Sequence, residues 1–316
     1  MTLLLYHHNS SVCAAKIRVA LREKQLEWDG KLMNLKGDQF DASYIKLYPA
    51  SVVPTLVHDA VVVTESNVIL EYLDDAFPNP PLRPIDPDKR AQMRYLMQFL
   101  DNGDEGIHHS ISVLSYGVAY LHQIIEETGS LDPSKLRKVI KQQMNPKSRD
   151  WLEDVVIKGV DSKQFDLAVQ RVQKLLQELE KNLLANEWLA GDLYSLADIA
   201  FTPYFYRLQL MSFDSMWENL PHLSNWYGRI IRRDSMAEVI DWYTPASCAL
   251  LVDEGKKSIK FLKNCRLDPK TICCVGSNVM LYFTLGWSDR ITRNRAVFPA
   301  VYCNIFEYKL VFKSPA

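Results

Sequence analysis

The chain has 316 residues, 47% of them hydrophobic and 24% charged, so it can bury a full core and is expected to hold two domains. Its formal net charge is -1, which excludes a global field that would draw in nucleic acid or an anionic membrane. Its longest apolar runs, such as Val279 to Trp287, fall short of the roughly 20 residues that a membrane helix needs.

Leu3 to Tyr6 reads as a short buried strand. A helix follows, with Cys13, Ile17, Ala20 and Leu21 at helical spacing, Lys16, Arg22 and Glu23 on other faces, and Ser10 and Ser11 at the N-cap. Glu27 to Asn34 can form a second strand, which gives a β-α-β unit and favours a parallel pair. Thr55 to His58 and Val61 to Val63 read as a hairpin, with Pro54 at its edge. Thr64 then caps a helix from Glu65 to Ala76, whose stripe is Val68, Ile69, Tyr72 and Leu73.

Five of the fifteen prolines lie between Pro78 and Pro87, and a stretch this stiff and extended marks a domain boundary. From Asp88 to Ile240 the pattern is helical, with long stretches from Lys89 to Ile125 and from Gln164 to Leu184. A Lys- and Gln-rich connector from Ser134 to Ser148 separates them. Ser195 and Asp198 have capping-box spacing, and Tyr194 and Ile199 sit where a hydrophobic staple would close.

Cysteine and charge both change near residue 247. Only Cys13 precedes that point and five cysteines follow it; the last 70 residues carry eleven Lys and Arg against five Asp and Glu. A body with one cysteine has no disulfide framework, so a reducing, cytoplasmic setting is expected. The later cysteines lack metal-ligand spacing, and no metal is expected.

SSVCAAKIRVAL after a first strand, VVPTL, TESNVILEYL, the proline linker and LAGDLYSLADIA stand in one order over residues 1 to 245. In that order they resemble the cytosolic glutathione S-transferases of the serine type. TESNVILEYLDDAFP followed by LRPIDPDKRAQMR also resembles bacterial glutathione-dependent enzymes that cleave aryl ethers. The resemblance implies an α/β thioredoxin-like domain over residues 1–80 that binds glutathione, and an all-helical domain over 86–245 with the acceptor pocket. Residues 246–316 have no counterpart in it and are expected to form a basic, cysteine-containing extension.

It also implies roles. A cis Val53-Pro54 bond would present the Val53 backbone to the cysteinyl part of glutathione, and Glu65 and Ser66 would hold the γ-glutamyl end. Ser11, with Ser10 as runner-up, would donate a hydrogen bond to the sulfur. Cys13 continues the inward stripe through Ile17 and Leu21 and is expected to be a buried, inert thiol. Val52 and Ser51 replace the family's usual Gln or Lys and Gly, and Gln39 stands near the position where some classes carry a His or Lys, so the glycyl end falls to Lys36 or His8. His108 and His109 are expected to be solvated.

The expected function is transfer of glutathione to a small hydrophobic electrophile by a homodimer, with no nucleic-acid or membrane partner. The alternatives are ether cleavage or isomerisation on the same fold, or a non-catalytic interaction module.

Overall fold

The computed structural model describes residues 2–35, 37–120, 149–265 and three isolated positions, Ser134, Arg137 and Ile140. Four strands form one sheet in the order β2-β1-β3-β4. They are β1 (Leu3–His7), β2 (Asp29–Leu32), β3 (Thr55–His58) and β4 (Val61–Thr64). β1 and β2 are parallel with Leu5 opposite Gly30, while β1 pairs antiparallel with β3, Leu5 opposite Leu56. β3 and β4 form the expected hairpin.

The parallel pair requires a crossover, and α1 (Val12–Glu23) supplies it. Packed against α3 (Ser66–Ala76) and against α8 (Leu196–Leu210), α1 is enclosed on nearly every face. Its buried residues run unbroken from Ala14 to Leu21 and include Lys16 and Arg18, so the charged residues assigned to an outer face do not all lie there. α2 (Ala42–Leu47) lies on the connection to the hairpin. Glu65, not Thr64, holds the N-cap position of α3, with φ 66°.

Lys24 fixes the proline linker: its Nζ reaches the Phe77 carbonyl at 2.6 Å, the Pro80 carbonyl at 2.8 Å and Asp74 at 2.7 Å. The Leu82 carbonyl then accepts from Leu196 N–H, which ties the linker to the helical layer.

The expected long helix after the linker is broken. It becomes α4 (Pro87–Leu100), a 3-10 turn at Gly103–Glu105, α5 (Ile107–Ser115) and a π-helical turn over Tyr116–Tyr120. A side chain at Gly117 would come within 2.7 Å of the Phe165 ring, which explains a glycine where the chain packs this closely. Most of the connector at 134–148 lies outside the described residues. α6 (Arg149–Lys158) and α7 (Lys163–Leu183) follow it.

The capping box forms at α8. The Asp198 carboxylate accepts from Ser195 N–H and from the Ser195 hydroxyl, both at 2.9 Å, and also from Leu189 N–H at 3.0 Å and Trp226 Nε1 at 2.8 Å. Tyr194 packs on Trp188 and lies beneath Arg233, whose guanidinium is 3.7 Å from the ring centroid. Helices α9 (Pro221–Ile230), α10 (Ala237–Ile240) and α11 (Pro245–Cys265) complete the body.

The extension expected from residue 246 begins differently. Residue 246 lies at the start of α11, which buries Leu251 and Ile259 in the common core. A Cβ on Gly255 would come within 2.3 Å of the Met211 carbonyl oxygen, so α11 lies directly against the end of α8. The point where the charge changes, near residue 247, therefore falls inside a helix packed on the core. Residues 266–316, with the remaining cysteines from Cys273 onward, lie outside the described residues.

Candidate functional site

Four chain segments meet at a cavity of about 280 Å³, lined by Ser11, Cys13, Tyr48, Val52, Val53, Pro54, Glu65, Ser66, Asp101, Gly103 and His108. The N-termini of α1 and α3 both open onto it, so unpaired backbone N–H groups and two helix dipoles favour a bound anion.

Ser11 is the N-cap of α1, and its Oγ accepts from Ala14 N–H at 3.2 Å. The cap uses the oxygen as an acceptor and leaves the O–H available as a donor, so the capping and donor roles coexist in one hydroxyl. Ser10 is not in the cavity wall. Its hydroxyl lies 3.3 Å from His8 Nδ1 and its carbonyl accepts from Arg207 at 2.5 Å. Of the two serines, geometry brings only Ser11 to the site.

The Val53-Pro54 bond is cis and lies in the wall. Among the described residues, no backbone hydrogen bond engages Val53. Ser66 opens α3 and is buried, with its Oγ 3.1 Å from Lys16 Nζ. Glu65 is exposed at the rim and accepts from the Tyr48 hydroxyl. Its positive φ is sparsely populated for residues with a side chain, a kind of backbone strain found most often at functional sites.

Cys13 departs from the inert thiol expected of it. It is half-buried, lines the cavity, and has its Sγ 3.5 Å from His108 Nδ1 and 3.7 Å from the Tyr204 hydroxyl. Burial pushes the thiol up, but His108 and Lys16 outweigh it and bring Cys13 down from 9.0 to about 7. The Cys13 thiolate in turn raises His108 against the opposing effect of burial. His108 is therefore a cavity residue and not a solvated one. His109 lies outside, edge-on to Trp151 and 3.9 Å from Asp104.

Of the residues considered for the glycyl end, Gln39 and His8 are not in this wall. Gln39 is buried and bonded to Leu35 O and Gly37 N–H. His8 is kept neutral by burial and by Arg207 and Arg18, and Lys36 lies outside the described residues.

Behind the site, Arg207 is buried. It donates to Tyr243 Oη at 2.8 and 2.9 Å, to Ser115 Oγ at 3.0 Å and to the Ser10 carbonyl. Arg233 forks onto Glu23 at the far end of α1, with both contacts at 2.7 Å.

Residues 10–76 match the model of the glutathione S-transferase N-terminal domain, and residues 143–234 match that of the C-terminal domain. Protein LigF of Sphingobium sp. (strain NBRC 103272 / SYK-6) is 30% identical over 251 residues, which cover 76% of this chain and 94% of LigF. The chain belongs to the glutathione S-transferase family. The crystal structure of the Sphingobium beta-etherase LigF superposes with a TM-score of 0.65, covering 77% of this chain and all of LigF. Glutathione S-transferase Z1 of Arabidopsis thaliana is 29% identical over 227 residues, covering 71% of this chain and 85% of its own. Mouse maleylacetoacetate isomerase is 24% identical over 225 residues, covering 70% and 85% respectively. Glutathione is the co-substrate of the family, and both family domains are present in this chain: the thioredoxin-like sheet and the helical layer. No helix among the described residues is long and apolar enough to cross a membrane.

Proposed function

We propose that this member of the family binds glutathione in the cavity and transfers its thiolate to a small hydrophobic electrophile. The observation that carries this reading is the convergence of Ser11, the cis Val53-Pro54 bond, Glu65 and Ser66 on one cavity. In this reading Ser66 and the α3 N-terminus receive the γ-glutamyl carboxylate, Glu65 takes the ammonium, and the unengaged Val53 backbone pairs with the cysteinyl amide. The Ser11 hydroxyl donates to the sulfur. Conjugation needs the thiolate, and lowering a thiol by two pKa units corresponds to about 2.7 kcal/mol of preferential thiolate stabilisation. A donor at a helix N-terminus is suited to supply that stabilisation.

The likeness to LigF supports a second reading, in which the thiolate displaces an aryl ether oxygen and releases a phenolate. Calorimetry with glutathione tests the site, and turnover of an aryl halide beside an aryl ether separates the two reactions. A chain that neither binds glutathione nor turns over either substrate would leave only a non-catalytic module.

A homodimer in the cytoplasm completes the proposal. β4 is an edge strand with Val61 and Val62 exposed, and Val68 of the adjoining α3 is also exposed. Apolar groups along a free edge favour a partner. Light scattering of the purified chain would read the mass, and a monomer at working concentration would remove this part.

A further inference from the structure

The side chain of Lys16 is fully buried, yet its only ion-pair partner among the described residues, Asp101, stands 3.7 Å away. A buried ammonium is costly unless its donors are satisfied, and a long pair compensates little. The other contacts of Nζ are Ser66 Oγ at 3.1 Å, Asn67 Oδ1 at 3.1 Å and the face of the Tyr204 ring at 5.1 Å. Two of these groups belong to the first turn of α3, so α1 places a cation directly behind the helix terminus that opens onto the cavity.

That contact fixes the polarity of Ser66. An ammonium has donors and no acceptor, whereas a hydroxyl has one donor and two lone pairs. Lys16 must therefore occupy a lone pair of Ser66 Oγ, and the Ser66 proton has to point away from Nζ. Ser66 is in the cavity wall, and among the described residues Lys16 is the only hydrogen-bond partner of its hydroxyl. A serine held this way presents O–H and not a lone pair to a ligand, backed by a buried positive charge and the N-terminal dipole. The matching ligand group accepts hydrogen bonds and carries negative charge. A carboxylate meets both requirements; a primary amide or an ammonium does not.

We propose that Lys16 is a positioning residue that locks the Ser66 hydroxyl as a donor and so selects a free carboxylate at the γ-glutamyl end of the ligand. The proposal rests on the reading of the cavity as a glutathione site. Lys16 acts through Ser66, so the two side chains form one recognition unit and their contributions to affinity are not independent.

The test uses the full chain and calorimetry, with glutathione and with an analogue whose γ-glutamyl α-carboxylate is replaced by hydrogen. Lys16→Met and Ser66→Ala are each expected to weaken glutathione binding about tenfold or more, as for a lost charge-assisted hydrogen bond. In the Ser66→Ala background, Lys16→Met should cost much less than it does alone. The analogue should bind wild-type and Lys16→Met equally, a result that a purely structural role for Lys16 would not produce. Lys16→Arg keeps the donors and should stay within about threefold of wild-type. If Lys16→Met does not fold, Lys16→Arg against Ser66→Ala carries the test, and a loss in Lys16→Arg as large as in Ser66→Ala overturns the proposal. Additive losses in the double variant, or unchanged affinity in Lys16→Met, also overturn it while leaving the glutathione site intact. A wild-type chain that binds no glutathione removes the site reading and this inference together.

Discussion

Two buried polar clusters in this protein are built to opposite ends. At Asp198, one fully buried carboxylate receives four donors from three parts of the chain. At the cavity, Cys13, His108, Tyr204 and Lys16 lie close together, but their contacts are longer, 3.3 to 3.7 Å around the sulfur and imidazole, and one wall is open. A saturated cluster has nothing left to offer a ligand and serves as a joint of the scaffold. An unsaturated one keeps donors and a titratable thiol in reserve, which is what a reacting site needs.

The largest expected effect lies on the saturated side. Asp198→Ala strands the Trp226, Leu189 and Ser195 donors in the core and should cost about 3–5 kcal/mol. At 316 residues that corresponds to a melting temperature lower by about 5 to 8 °C. A shift of a degree or two would mean that the cluster is not the joint described.

Truncation after Ala246 should cost about as much. It removes α11, uncovers the core beneath Leu251 and Ile259, and loses about 1.5–3 kcal/mol for each of those side chains. Thermal melting of the shortened chain checks this, and an unchanged melting temperature would return α11 to the status of an appendage.

On the unsaturated side the effects should be kinetic. Ser11→Ala should lower the conjugation rate about tenfold or more, which corresponds to about 1.4 kcal/mol of lost stabilisation. Its stability cost should be near 1 kcal/mol, from the lost N-cap. Near-normal turnover at neutral pH would remove Ser11 from the chemistry and turn attention to Ser10.

The smallest effect is a shift in titration. Alkylation of Cys13 should follow its thiolate fraction, rising with pH around a midpoint of about 7 in place of the ordinary 9.0. Because the His108 charge is what pulls the thiol down, His108→Ala should move that midpoint upward, in the direction that burial already drives it. Mass spectrometry of the alkylated peptide against pH reads this directly. A midpoint unaffected by His108→Ala would break the pairing.

Much of the scaffold was legible from the residues. The β-branched-rich runs around Thr55 and Val61 and the helical stripe after Ser11 placed β3, β4 and α1, and the spacing of Ser195 and Asp198 placed the start of α8. The N-terminal halves of the site, Ser11, Val53 and Ser66, were legible too, because each is punctuated by a proline or a helix start. What periodicity could not give was direction within α1. A single stripe assumes one buried face, but α1 lies between the sheet, α3 and α8, so the inward side of Cys13 is also the cavity side. The same enclosure hides Lys16, a residue whose type suggests solvent. His108 arrives from 95 positions further along the chain, and no local pattern reports such a meeting. α11 was missed because a step in charge density resembles a domain edge, although basic residues belong equally well on the outer face of a packed helix.

The guanidinium of Arg207 holds the Ser10 carbonyl, the Ser115 hydroxyl and the Tyr243 phenol at once, positions spread across most of the described chain. The turn that leads into α1 is thus clamped from the helical layer, and at the opposite end of α1 Glu23 is clamped by Arg233. Opening either layer alone would strand a buried cation. Amide protons around Ser10 and Ser11 should therefore share their exchange barrier with α8, and the sheet and the helices should melt as one cooperative unit instead of two.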